Sequence, residues 1–138
     1  MKIVRAAVHV TIALGILSVW IVRSNRPTPW RGGDAMSLGQ EFQRYGLSDR
    51  FRVVVGSAKV MLAMLILVGL WFPLIATMAS AAMAVLMLGA VGVHVRIADP
   101  VRKALPAFSM MLLSLAVVAM NWKPALENRR RLSLGRAG

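Results

Sequence analysis

Four polar residues stand in or beside long apolar stretches of this chain, and they are its main candidates for chemistry. Lys59 lies inside an apolar run, about 12 Å along a helix from Phe51 at 1.5 Å per residue. His94, Arg96 and Asp99 close the next apolar run. Because a charge inside hydrocarbon is costly, such residues are usually paired or bind a ligand. The four residues therefore form a candidate site for an anionic or quinone headgroup.

Each of these residues also has a purely structural explanation. Side chains on a helix point toward its N-terminus, so Lys59 can extend its ammonium group toward lipid headgroups or toward Asp99. His94 can bind the last carbonyl groups of its helix or carry protons. Asp99, directly before Pro100, has the position of a helix N-cap and of an ion-pair partner for Arg96. No serine has a histidine base at a recognisable spacing, so we assign no catalytic residue and expect no intrinsic enzymatic activity.

The histidines do not form a metal site. His9 lies near the start of the first apolar run, which places it near the opposite membrane face from His94. The chain has no cysteine, and we expect it to bind neither a metal nor a haem of its own. A quinone is the one cofactor that the polar residues make plausible.

Four apolar runs must position these residues, and each is long enough to cross a bilayer as a helix. They span about residues 4–22, 51–71, 73–96 and 104–122. The chain is 58% hydrophobic, whereas ordinary soluble proteins are about half apolar. The sequence predicts an all-α fold: one integral membrane domain, residues 1–138, built as a four-helix bundle.

The connections between the runs carry their own signals. Trp71, Phe72 and Pro73 separate the second and third runs so briefly that the two helices must form a tight hairpin. The first connection is long and rich in Arg, Pro and Gly. Within it Ser37 has the spacing of a capping box, and Gly46 suits a C-terminal cap. An apolar stripe lies between them, at Leu38, Phe42 and Tyr45. We expect a short interfacial helix there. We also expect the first apolar run to remain as an uncleaved helix, because no signal-peptide cleavage pattern follows that run.

The formal net charge of +12 is concentrated in the connections and in a basic tail, residues 123–138. Arg129, Arg130 and Arg131 follow the last apolar run, where a basic cluster is attracted to anionic lipid by about 1 kcal/mol per charge. We predict anionic headgroups as partners, together with other membrane-protein subunits or a second copy of the chain, and no nucleic acid. The same cluster favours both termini in the cytoplasm.

The stretch from Glu41 to Val118 carries a pattern found in a known family. Its matching residues are Phe42, Arg44, Tyr45, Gly46, Leu47, Gly56, Leu67, Gly69, Pro73, Met87, Gly89, Ala90, Val91, His94, Arg96, Asp99, Pro100, Arg102, Lys103, Pro106 and Ala107. Together they resemble the DoxX-like family of small four-helix membrane proteins. The resemblance implies a four-helix bundle in the bacterial inner membrane, and relatives that include a subunit of a thiosulfate:quinone oxidoreductase. The chain departs from the family pattern at Lys59, where such sequences usually carry a glutamate.

Three functions are compatible with these residues. An accessory or assembly subunit of a larger membrane complex is favoured by the small size and the basic connections. A quinone-linked oxidoreductase component would use Lys59, His94, Arg96 and Asp99 around the headgroup. A small transporter would need an intramembrane carboxylate to couple protons to a cationic substrate, and none of the four runs contains one.

Overall fold

The computed structural model describes residues 2–134, which form helices and their connections without any strand in that range. The α-helices are α1 (Lys2–Leu17), α2 (Leu38–Arg44), α3 (Asp49–Val68), α4 (Pro73–Arg96) and α5 (Val101–Leu134). A π-helical turn, Ser18–Val22, continues α1. A short 3₁₀ turn, Gly32–Asp34, precedes α2.

Four segments are long and apolar enough to cross a membrane. They are Lys2–Val22, Asp49–Val68, Pro73–Arg96 and Val101–Lys123. The predicted all-α fold with four membrane-spanning helices is therefore confirmed, and the chain is a membrane protein. The fourth helix begins at Val101, directly after Pro100, where the sequence predicts its start, and so a few residues before the apolar run that begins near residue 104.

The four long helices form a closed ring. Contacts join α1 to α3, α3 to α4, α4 to α5 and α5 back to α1, while α2 rests against the start of α3. The shared interior is apolar, and its fully buried members include Ile12, Ile66, Met83 and Val117. The long first connection and the α4–α5 connection lie at one end of this ring. The α3–α4 turn and the start of α1 lie at the other.

The α3–α4 hairpin depends on a close backbone approach. Gly69 ends α3, and a Cβ atom there would lie 2.6 Å from the Cα atom of Ala76. Pro73 occupies the first turn of α4, where its missing N–H group is not needed. Trp71 and Phe72 are exposed at the turn. The predicted tight hairpin is confirmed.

The predicted short helix in the first connection is also confirmed, as α2. The Ser37 side chain accepts a hydrogen bond from the Gln40 N–H at 3.3 Å, and Gly46 ends the segment with φ 73°. The buried face consists of Leu38, Phe42 and Tyr45, as the spacing predicts. This face packs on the bundle, beside Val19 and Trp20. The helix therefore closes one end of the ring.

Candidate functional site

The end of the ring that α2 closes contains a cavity of about 500 Å³. All four long helices, α2 and the first connection contribute to its lining. The floor is apolar, with Ile16, Val55, Met87 and Met110 among its residues. Polar side chains also reach the wall, and they are Arg23, Arg31, Glu41, Tyr45, Lys59, His94 and Lys103, with Thr28. An apolar cavity with a few polar groups is the usual form of a small-molecule site.

Lys59 reaches this cavity from the middle of α3. Its side chain is 7% exposed, and its Nζ atom lies 5.2 Å from the centroid of the Trp20 ring, which also lines the cavity. Gly56, one turn earlier on α3, makes room for this ring, because a Cβ atom there would lie 2.4 Å from the Trp20 Cζ3 atom. Within residues 2–134 the ammonium group has no hydrogen bond or ion pair. Of the two structural explanations for Lys59, contact with Asp99 is therefore not observed, because Asp99 pairs with His94.

Asp99 instead pairs with His94. The His94 Nδ1 atom lies 2.8 Å from Asp99 Oδ2, and the two side chains are 9% and 5% exposed. The edge of the Tyr45 ring packs against the imidazole at 5.8 Å between centroids. A carboxylate oxygen accepts, so the imidazole donates the hydrogen of this bond from Nδ1. A carboxylate thus fixes the orientation of a histidine in the cavity wall.

Asp99 and His94 do not make the helix-end contacts that the sequence suggested for them. Asp99 is not the side-chain N-cap of α5, because its second oxygen, Oδ1, accepts from the Gly33 N–H at 3.0 Å. The capping position before Val101 is held by Pro100, whose carbonyl accepts from the Lys103 N–H. His94 does not use its side chain on the last carbonyls of α4, because Asp99 takes its Nδ1. The α4–α5 connection is tied to the first connection instead.

Arg96 lies apart from the cavity. Its side chain is exposed, and its guanidinium donates to the Tyr45 carbonyl at 3.5 Å. It therefore fastens the end of α2 to the end of α4. Of the four predicted headgroup residues, Lys59 and His94 line the cavity, Asp99 orients His94, and Arg96 contributes only to the scaffold.

Glu41 is a polar residue of the cavity wall that sequence reasoning missed. Its side chain accepts three hydrogen bonds: from Arg31 Nη1 at 3.0 Å, from the Gly32 N–H at 2.9 Å and from the Tyr45 hydroxyl at 2.6 Å. Burial, and after it the charge of Glu41, raises the pKa of Tyr45. A signal was present in the sequence, because Glu41 lies three residues after Leu38 and therefore on the buried face of α2.

Arg31 and Lys103 complete the polar wall. Besides its ion pair with Glu41, Arg31 donates to the backbone carbonyls of Arg23, Ser24 and Arg26. This arrangement folds the first connection around one guanidinium. Lys103 Nζ donates to Asp34 Oδ1 at 2.8 Å, and this hydrogen bond lowers the pKa of Asp34. Arg31 and Lys103 thus both have a carboxylate partner, which distinguishes them from Lys59.

His9 lies in the opposite half of the bundle, as predicted. It is fully buried, and its Nδ1 atom contacts the Arg5 carbonyl at 2.7 Å. Among residues 2–134 no three histidine, aspartate or glutamate side chains group as metal ligands. His9 and His94 therefore belong to separate environments.

The predicted basic surface continues α5. Arg129, Arg130 and Arg131 lie within the helix, which extends to Leu134, and the side chains of Arg130 and Arg131 are exposed. Residues 135–138 of the predicted tail lie outside the described residues. The start of the basic tail is thus a helical extension of the fourth span.

The comparison with known families agrees with this architecture. The model of the DoxX-like family matches residues 33–119. The chain belongs to the DoxX-like family. The match begins in the 3₁₀ turn at Gly33 and ends within α5, so it includes the residues of α2, α3 and α4. The resemblance read from the sequence is therefore confirmed.

The family match is not accompanied by a match to an individual protein. No curated protein and no solved structure matches the chain. The DoxX-like match includes Lys59, His94, Asp99 and Lys103, but it excludes α1 and Trp20. One side of the cavity therefore comes from outside the matched region.

Proposed function

We propose that this DoxX-like protein binds a lipid-soluble molecule with a polar headgroup in the cavity, as a subunit of a larger membrane complex. The observation that carries the proposal is the cavity itself, in which an apolar floor meets Lys59 and His94. Its volume of about 500 Å³ lies within the range of small-ligand sites, about 300–1,000 Å³. A subunit role is supported by the absence of a nucleophile–base pair in the described wall and by the basic extension of α5.

A quinone-linked oxidoreductase component is the second candidate, and the His94–Asp99 pair favours it. A histidine whose orientation is fixed by a carboxylate suits proton exchange with a reducible headgroup. In this case a quinone would bind with its ring near His94 and its isoprenoid chain along the apolar floor. The redox partner would come from another subunit, since the chain has no cysteine to hold an iron–sulfur cluster or to form a redox disulfide.

Proton-coupled transport receives less support. Glu41 is a buried carboxylate in the cavity wall, which the sequence did not suggest. Its oxygens are already engaged by Arg31, Gly32 and Tyr45. A carboxylate that couples protons to a substrate must exchange its partners, whereas Glu41 holds the first connection together.

For the cellular location we propose the bacterial inner membrane with both termini in the cytoplasm. The resemblance to small bacterial membrane proteins supports the first part. The second part is supported by the basic extension of α5, because clustered Lys and Arg beside a spanning helix favour the cytoplasmic side. On the other face, Arg31 and Lys103 are engaged in ion pairs within the protein.

The test is to purify the protein from its native membrane in mild detergent and to identify what co-purifies. Mass spectrometry of one preparation identifies both the partner proteins and the lipid-soluble molecules that co-purify with the chain. We expect a stoichiometric lipid-soluble molecule and at least one other membrane subunit. Recovery of the chain alone, with no bound molecule, would contradict the proposal.

A matched pair of variants links the bound molecule to the cavity. Ala107 lines the cavity, whereas Ala119 is exposed on the outside of the same helix. Ala107→Trp fills the cavity and should remove most of the co-purified molecule. Ala119→Trp adds the same side chain outside it and should retain the molecule. Equal retention by the two variants would place the molecule elsewhere on the protein.

A further inference from the structure

The polar groups of the cavity wall have an excess of positive charge. Four cationic side chains line it, those of Arg23, Arg31, Lys59 and Lys103, against one carboxylate, that of Glu41. Arg31 is paired with Glu41, and Lys103 with Asp34. The remaining buried cation is Lys59.

Lys59 lacks the partner that a buried ammonium group requires. A charge removed from water needs an opposite charge or several hydrogen bonds. Within residues 2–134, Lys59 has neither, and its only polar contact is with the face of the Trp20 ring. An aromatic face attracts a cation but replaces only part of its hydration. Lys59 is thus 7% exposed as a residue, and its ammonium group lies in the wall of the cavity without a hydrogen bond or ion pair from the described residues.

Glu41 forms no ion pair with Lys59. It lies in the same wall, but its two oxygens are shared among Arg31 Nη1, the Gly32 N–H and the Tyr45 hydroxyl. No contact within 4.0 Å joins it to Lys59 among the described residues. To reach Lys59 it would have to release the first connection. Among residues 2–134 no group completes an ion pair with Lys59, which leaves its ammonium group open to a bound anion.

We propose that the cavity selects a single-chain amphiphile with an anionic headgroup, a carboxylate of the fatty-acid type, and that Lys59 binds this headgroup. The inference rests on the proposed function, because it names the ligand class for the same cavity. The acyl chain lies along the apolar floor near Met87 and Met110. One chain suits a cavity of about 500 Å³ better than the two chains of a phospholipid.

The experiment compares three ligands that share a long apolar part and differ in the headgroup. Binding of tritiated oleate to the detergent-purified full chain is measured by scintillation proximity. Unlabelled oleate, oleyl alcohol, decylubiquinone and an anionic phospholipid are then each added to displace the bound tritiated oleate. The signal that remains in a large excess of detergent is subtracted as background, because it reports oleate that is not bound to the cavity. We expect oleate to compete at least tenfold more strongly than any of the other three.

Variants at Lys59 assign the headgroup contact. Lys59→Met keeps the length of the side chain without its charge and should weaken oleate binding at least tenfold. Lys59→Arg keeps the charge and should retain binding within about threefold, which a purely steric role of the residue would not explain. If Lys59→Met does not fold, the comparison of the competitors on the natural chain still decides the question.

Failure of the inference is distinguishable from failure of the proposed function. If oleyl alcohol or decylubiquinone competes as well as oleate, the cavity binds amphiphiles without selecting an anion, and only the inference is overturned. The same conclusion follows if the phospholipid competes best. If tritiated oleate does not bind above background, the inference is overturned, whereas the proposed function is overturned only if the co-purification experiment also recovers no bound molecule.

Discussion

The hydroxyl group of Tyr45 should contribute measurably to the stability of the protein. Its hydroxyl donates to Glu41 Oε1 at 2.6 Å in a buried setting, and a hydrogen bond to a charged group contributes about 1.5–3 kcal/mol. Tyr45→Phe should therefore lower the unfolding midpoint in detergent. Because the pKa of Tyr45 is raised in the folded state, its contribution is present below the unfolded value of about 10 and falls as the pH rises above it. The loss of stability above pH 10 should be smaller in Tyr45→Phe, and equal slopes in both proteins would contradict this role.

Ser80 and Ser114 form a natural comparison, because both are fully buried in the bundle. The Ser114 hydroxyl donates to the Met110 carbonyl at 2.7 Å, whereas Ser80 Oγ has no hydrogen-bond partner in the described part of the chain. An unsatisfied buried hydroxyl is unfavourable, by about 1–3 kcal/mol on mutational data. Ser80→Ala should therefore maintain or raise the thermal midpoint, and Ser114→Ala should not raise it. A midpoint that falls only in Ser80→Ala would show that the hydroxyl has a partner of its own.

At the residue scale, position along a helix could be predicted better than pairing. The distance from Phe51 places Lys59 well inside the second apolar run, and the structure has it in the middle of α3, where it is buried. The His94–Asp99 pair was not expected, because it forms across the end of a helix. The pair requires the chain to turn at Ala98, a non-glycine residue with φ 56°. Alanine rarely adopts a positive φ, so the residue type does not predict this conformation.

At the scale of the elements, Gly69 and Gly92 allow a matched test of helix packing. A Cβ atom on Gly69 would lie 2.6 Å from the Cα atom of Ala76, whereas one on Gly92 would meet nothing within 4 Å. Gly69→Ala should separate α3 from α4 and lower the thermal midpoint. Gly92→Ala should raise it, because alanine is favoured over glycine inside a helix by about 1 kcal/mol. A rise in both variants would mean that the hairpin is not closely packed at Gly69.

The helices could be predicted from the sequence because apolar runs and turn residues depend only on neighbouring residues in the chain. The boundaries of α4 and the cap of α2 at Ser37 agree with the sequence. The fourth apolar run also agrees with the observed span, which ends at Lys123, but it gives no indication of where α5 itself ends. The helix continues to Leu134 through arginines, which are good helix formers and need no membrane around them. Hydrophobicity therefore located the spans but not the full helix.

At the scale of the whole molecule, the cavity could not have been predicted. It depends on which faces of α1, α3, α4 and α5 meet, and on how α2 folds back over their ends. Trp20 contacts Gly56, and Gly33 contacts Asp99, across long sequence separations. Such contacts follow from side-chain packing in three dimensions, whereas composition and spacing report only on neighbours along one helix. The sequence alone therefore predicts that polar residues lie near one membrane face, but it does not predict the cavity that those residues line.

The orientation of the whole bundle can be tested cleanly because the natural chain has no cysteine. Asn25 is exposed in the first connection, and Glu127 is exposed on the extension of α5 beyond the last span. With both termini in the cytoplasm, a membrane-impermeant maleimide should label Asn25→Cys in intact cells. It should label Glu127→Cys only after the inner membrane is permeabilised. The reverse pattern would place the basic extension outside the cytoplasm, and its clustered arginines would then need an anionic partner on the outer face.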